Sequence, residues 1–202
     1  MGIRGGVASD IAVTSYEKIK ATNKPLPDMT GWSCTVGIDY AELSDWMAVN
    51  LHFRKGDERF DINHAWVCTH GRDLHRVKAP WREWAEAGNV TPVDEVTIDP
   101  DLAAEYIRKA GQKYNIKGIA LDNFRYTLVK TSLQKIGFDV ENRKNIKLVR
   151  PQDIMKVEPV ISNCFDRELF TWGNVPHLRW ATNNTKRVRS SRKIGSDTGN
   201  FY

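Results

Sequence analysis

Long apolar runs are missing from this sequence. No stretch approaches membrane-spanning length, and no secretory signal pattern opens the chain. Cysteine is scarce: Cys34, Cys68 and Cys164 are odd in number, far apart and in no C-x-x-C pair. That argues against a disulfide framework or a zinc site and for a reducing compartment. The histidines His52, His64, His70, His75 and His177 have no H-x-x-x-H spacing, so they read as surface or strand residues rather than ligands. No G-x-x-x-x-G-K-[ST] phosphate loop occurs, and no nucleotide site is expected. Internal repeats and low-complexity stretches are lacking too. What these absences leave is a soluble, cytoplasmic protein with no membrane partner.

The chain of 202 residues is long enough for one domain with a real core, and its apolar fraction of 41% suits a folded protein. A net charge of +5 is modest but unevenly placed. Residues 186–193 carry Lys186, Arg187, Arg189, Arg192 and Lys193 with no acid among them. Such a local run either attracts phosphates or is a solvated basic tail.

Residues 1–30 read as a lead-in rather than a core element, with one short helix over 11–21 broken by Asn23-Lys24-Pro25-Leu26-Pro27. The domain proper is expected over 31–202. Strands are expected at Thr35–Tyr40, Trp46–Phe53 and Phe60–Thr69, the last two joined by a polar turn at Arg54–Glu58, giving an antiparallel meander. Pro80 to Ala87 has helix punctuation at both ends, and its Trp81 and Trp84 read as a core contact rather than a base-stacking platform. Asp99 and Pro100 cap a further helix ending at Gly111. A strand at Lys117–Asp122, a helix over Thr127–Ile136 and a strand at Ile146–Val149 follow. A helix over Pro159–Phe170 and an extended segment over Leu178–Val188 complete the pattern. Three strands followed by alternating helices and strands predict an α/β fold with a mixed central sheet.

Two places stand out chemically. An apolar strand ends at Asp39 in Gly37-Ile38-Asp39, and a second ends at Asp122 in Ile119-Ala120-Leu121-Asp122. Alternation puts Val36, Ile38 and Tyr40 on one face and Thr35, Gly37 and Asp39 on the other. A carboxylate at a strand end asks for a metal ion, an Arg or Lys, or a helix N-terminus. On neighbouring strands the two would converge as a divalent-metal site requires. The alternative is that each caps the turn or helix that follows it.

The order of motifs resembles the nuclease domain of tailed-bacteriophage terminase large subunits. Gly37-Ile38-Asp39 with Asp45 just beyond, Ile119–Asp122, Gly173-Asn174-Val175-Pro176-His177-Leu178-Arg179-Trp180 with Asn184, and Asp197-Thr198-Gly199-Asn200 carry the likeness. It implies a ribonuclease H-like α/β fold, a mixed central sheet flanked by helices, and metal-dependent endonuclease activity on double-stranded DNA. The catalytic, metal-holding aspartates would be Asp39 and Asp122, around two Mg²⁺ or Mn²⁺ ions about 4 Å apart. The basic run at Lys186–Lys193 would bind the DNA backbone. Partners implied by the family are the terminase ATPase domain, the small terminase subunit and the portal protein, in the cytoplasm of a bacterial host.

Two features depart from the family pattern. The ATPase motor is not present, so residues 1–30 read as the end of a linker from it. The family's third acid opens a C-terminal helix, and this sequence reaches Tyr202 before any such motif, so either the domain reads as truncated at its C-terminus or Asp45 or Asp197 substitutes. Two other readings remain. One is a different ribonuclease H-like nuclease, a resolvase or transposase core, which the Gly173–Trp180 block argues against. The other is a non-catalytic DNA-binding or docking domain.

Overall fold

The computed structural model describes residues 11–40, 46–71, 74–76, 78–194 and 197–201. Its centre is a seven-stranded sheet. Strands β2 (Ser33–Tyr40), β3 (Trp46–Lys55) and β4 (Glu58–Cys68) form the expected antiparallel meander. The turn between β3 and β4 uses Gly56 at φ +61°, a conformation that favours glycine. β6 (Asn115–Asp122) then lies parallel to β2, and β7 (Ile146–Val149) parallel to β6. β5 (Val90–Val93) and the two-residue β8 (Phe170–Thr171) both pair with β4.

Alternation along the strands gives the sheet two unlike faces. Val36, Ile38, Met47, Val49, Leu51, Phe53, Ile119 and Leu121 are buried on one of them. Helices α3 (Pro100–Ala110) and α4 (Tyr126–Lys135) cover that face with Ala103, Ile107, Val129 and Leu133. The α3 start is the expected cap: Asp99 accepts the Asp101 amide at 2.9 Å, ahead of Pro100 in the first turn.

Among the described residues, the opposite face is covered over only half its width. Around β3, β4 and β5 the short α2 (Trp81–Glu86) and α6 (Pro176–Asn184) close over Ala65, Val67 and Trp84. Trp84 is buried and meets Trp46 and Trp180 edge-on, so it is core as expected, while Trp81 is half-buried against the same cluster. Helices α1 (Tyr16–Lys20) and α5 (Pro151–Asp166) add a cluster of Val13, Ile19, Phe165 and Trp172. The other half of this face, over β2 and β6, carries exposed Thr35, Asp39 and Asp122.

Several elements differ from the sequence reading. The lead-in contributes core side chains: Ile19 and Met29 are buried, and β1 (Ile11–Ala12) pairs with β9 (Lys186–Ile194). Helix α5 starts at Pro151, not Pro159, because Asp153 caps the Arg150 amide at 3.0 Å and Pro151 supplies the first turn. Pro159 lies inside that helix on its exposed side, where its missing N–H can be tolerated. Leu178–Asn184 is helical rather than extended, started by Pro176. The basic run is not a tail: it is strand β9, paired to β10 (Asp197–Phe201) in a second, three-stranded sheet.

Candidate functional site

The two strand-end aspartates meet. Ile38 pairs with Leu121 across the parallel β2–β6 ladder, so the next residues, Asp39 and Asp122, stand side by side at the same end of the sheet. Both lie on the open face rather than in the core. Asp39 stays accessible to solvent, yet the chain around it removes enough water to raise its pKa. Burial is the largest cause, the Asp122 charge adds to it, and Arg125 offsets part of it.

Asp122 is also held by its own turn. Its Oδ1 accepts the Phe124 amide at 2.7 Å, and its carbonyl accepts the Arg125 amide at 3.2 Å. The capping role and the paired-carboxylate geometry therefore coexist at Asp122. Only one of its oxygens is engaged in this way. Arg125 was not singled out by the sequence reading, although its position three residues after Asp122 places it at the same strand end.

Gly37 precedes Asp39 on the same face, and a Cβ there would meet nothing within 4 Å. Among the described residues, the space over Gly37, two positions behind Asp39, is open. Asp45 falls outside the described residues. Asp197 begins β10, opposite Ile194, in the second sheet. Among the described residues no group of three or more His, Cys, Asp and Glu side chains could hold a metal ion.

Next to this open half, the covered half of the face holds a buried polar chain. Asp61, 5% exposed, accepts from Asn50 Nδ2 at 2.7 Å and from Trp172 Nε1 at 3.0 Å, and lies 2.8 Å from His52 Nδ1. Asn63 Nδ2 donates to Asn50 Oδ1 at 3.2 Å, and His177 Nε2 lies 2.9 Å from Asn63 Oδ1. His177 is thus a buried helix residue, 6% exposed, not a surface or strand residue. Burial, with smaller contributions from His64 and Arg179, pushes its pKa down to about 4. A cavity of about 500 Å³ opens onto this chain beside Val160, Phe165 and Leu178, and the Asp39–Asp122 pair does not line it.

The Gly173–Trp180 block is a clasp for this half. Arg179 Nη1 donates to the Gly173 carbonyl at 2.7 Å and Nη2 to Asn174 Oδ1 at 3.2 Å. Gly173 has φ +65° and lies against Leu26. Of the basic run, Arg187 is drawn into the fold: its guanidinium meets Glu158 at 2.9 Å and donates to the Val13 carbonyl at 3.1 Å and to Ser162. Lys186 is exposed. The side chains of Arg189, Arg192 and Lys193 lie outside the described residues.

An antiparallel meander followed by two strands parallel to its first member, with acids ending the two central parallel strands, makes this a ribonuclease H-like α/β domain. The structure is similar to the HK97 bacteriophage large terminase, with a TM-score of 0.75 at 14% identity over 89% of this chain and 38% of that one. It also resembles the large terminase nuclease from thermophilic phage G20c, with a TM-score of 0.55 at 6% identity over 95% of this chain and 88% of that one. The large terminase of another thermophilic bacteriophage, solved in complex with ATP-gamma-S, gives 0.50 at 9% identity, over 88% of this chain and 37% of that one. This chain therefore spans less than two fifths of two of these proteins and most of the third. At such identities the likeness is one of fold. No protein-family model matches the sequence. A search of curated proteins returns no match either.

Proposed function

We propose that the chain is the nuclease domain of a viral DNA-packaging terminase, hydrolysing phosphodiester bonds of double-stranded DNA with a divalent cation held by Asp39 and Asp122. The observation that carries this reading is the side-by-side placement of the two carboxylates on the open half of the sheet face. Burial, and after it the Asp122 charge, raises the proton affinity of Asp39. A hard cation relieves that repulsion, and an all-oxygen donor set suits Mg²⁺ or Mn²⁺ over zinc. The G20c terminase nuclease has been solved with bound magnesium, with a TM-score of 0.52 at 6% identity.

When bound, one or two such ions would activate water and stabilise the leaving oxygen. The chain's own residues supply the frame. The β2–β6 ladder fixes the spacing of the carboxylates, and the Phe124 amide orients the Asp122 side chain. Arg125 holds a compensating charge near Asp39. A third carboxylate would come from Asp45 or Asp197. Asp45 is the better placed along the chain, since β3 begins immediately after it and Ala48 pairs with Asp39. Strand β9, through Lys186, Arg189, Arg192 and Lys193, would add sequence-independent affinity for the DNA backbone.

The test is plasmid cleavage with Mg²⁺ or Mn²⁺ by the wild type, Asp39→Asn and Asp122→Asn. Both variants should lose cleavage while keeping their circular dichroism. Equal cleavage by all three would overturn the assignment. One observation favours a second reading, a DNA-docking domain without catalysis: the described residues bring no third acid to the pair. Cation-independent DNA binding with no cleavage at any metal concentration would select it.

A further inference from the structure

A cavity of about 370 Å³ lies on the same open face as the aspartate pair. Its floor is Thr35, Gly118 and Ala120, and its rim carries Lys117, Lys144 and Lys147. None of its lining residues is acidic. All three lysines are exposed. Lys147 Nζ reaches the half-buried Asp153 at 3.2 Å, while the lysine itself stays largely in water, where such a pair is worth little.

The strand register fixes how this cavity relates to the carboxylates. Ala120 pairs with Gly37 on one side and Lys147 on the other, while Asp122 pairs with Val149. Thr35 pairs with Gly118. Lys147 thus sits two strand positions behind the Asp122 row, and Thr35 four behind Asp39. At about 3.3 Å per residue the cavity begins roughly 7 Å from the carboxylates and extends to about 13 Å. Phosphates on one strand of a duplex recur about every 3.4 Å along its axis. Since the backbone also winds around that axis, its phosphates are spaced more widely than this rise, and the lysines fall within reach of the first few phosphates next to one seated at the pair.

The lysine rim is also pre-arranged. Lys144 lies at φ +52°, an uncommon conformation for a side chain of its size. The turn that imposes it is pinned by Asp139, whose Oδ1 accepts the Glu141 and Asn142 amides at 2.7 Å each, and by Asn145 Oδ1, which accepts the Asp139 amide at 2.8 Å. A cation held by a fixed turn loses less freedom on binding an anion than one on a mobile loop.

We propose that this cavity seats the phosphodiester backbone of the DNA strand running away from the Asp39–Asp122 pair, with Lys117, Lys144 and Lys147 neutralising successive phosphates. The proposal rests on the nuclease reading and adds a strand path to it. The test is duplex binding by fluorescence anisotropy against NaCl, in EDTA, for the wild type, Lys117→Gln/Lys144→Gln, and a control Lys109→Gln/Lys130→Gln on the helices of the opposite face. The first variant should flatten the log-affinity against log-salt slope by about 1.8, since each lost phosphate contact removes about 0.9. The control should leave the slope unchanged. An unchanged slope in the first variant, or an equal loss in the control, overturns the proposal while leaving the nuclease reading intact. A wild type with no DNA affinity overturns both. Inorganic phosphate at matched ionic strength should not compete beyond its salt effect; full competition would mean a free-phosphate site and would overturn the strand path.

Discussion

Asp39 has a pKa raised by burial and by the Asp122 charge, so the folded protein binds its proton more tightly than the unfolded chain does. Stability contributed by that proton is lost as pH rises through the carboxylate range, and at neutral pH the ionised Asp39 is a net cost to the fold. Asp39→Asn should therefore raise the melting temperature at pH 7 while abolishing cleavage, a pattern expected where function opposes stability. A lower melting temperature would show that the charge is not a burden. His177 has the opposite sign. Its folded pKa of about 4 lies below the ordinary 6.5, so stability is full above pH 6.5 and falls as pH drops towards 4. A shift of that size corresponds to about 3 kcal/mol at acid pH. His64, pushed down by burial, adds in the same direction. Urea midpoints between pH 7 and pH 4 should fall steeply in the wild type and less steeply in His177→Gln. Equal slopes would mean that other groups govern the acid limb.

At the level of elements, α6 and the turn before it keep half of the sheet face closed, which leaves the other half for the aspartates. Trp172 supplies an indole N–H to Asp61, and Gly173 supplies a φ of +65° against Leu26. Trp172→Phe should cost about 1–3 kcal/mol, because a buried carboxylate loses a donor. Gly173→Ala should cost at least about 1 kcal/mol from its backbone conformation alone. Urea unfolding checks both, and a neutral Gly173→Ala would show that this turn relaxes. Strand periodicity made β2, β3, β4, β6 and β7 legible in the sequence, and with them the pair of strand-end acids. The α5 start was missed because Pro159 looked like a first-turn proline while the Arg150–Asp153 cap carries no apolar signal of its own. The helix at α6 was missed because its one buried residue is His177, and the partly buried Leu178 and Trp180 pack into two different clusters rather than one apolar stripe. The Asp61 network was invisible for a related reason: Asn50, His52, Asp61 and Asn63 occupy alternate strand positions that read as solvent-facing until α5 and α6 cover them.

For the whole molecule, the aspartate pair and the lysine-rimmed cavity share the half of one face that the described helices leave uncovered, while α3 and α4 close the other face. Among the described residues no helix is long and apolar enough to cross a membrane. A cation that binds the folded pair and not the unfolded chain stabilises by mass action, about 2.7 kcal/mol at a hundredfold excess over Kd. For a chain of this length that is roughly 5–11 °C in melting temperature. Mn²⁺ should therefore raise the wild-type melting temperature by several degrees and leave Asp39→Asn and Asp122→Asn unmoved. Mg²⁺ should do less, because it dehydrates more reluctantly and a site with few carboxylates offers little charge in exchange. Asp45→Asn separates the candidates for a third ligand. If Asp45 joins the pair, its loss should shrink the Mn²⁺ shift and lower the calorimetric affinity by at least tenfold, with Asp197→Asn behaving as wild type. The reverse pattern would move the third ligand to the β9–β10 sheet. Wild-type affinity in both variants would leave Asp39 and Asp122 as the protein's whole contribution, with water and DNA phosphate completing the coordination.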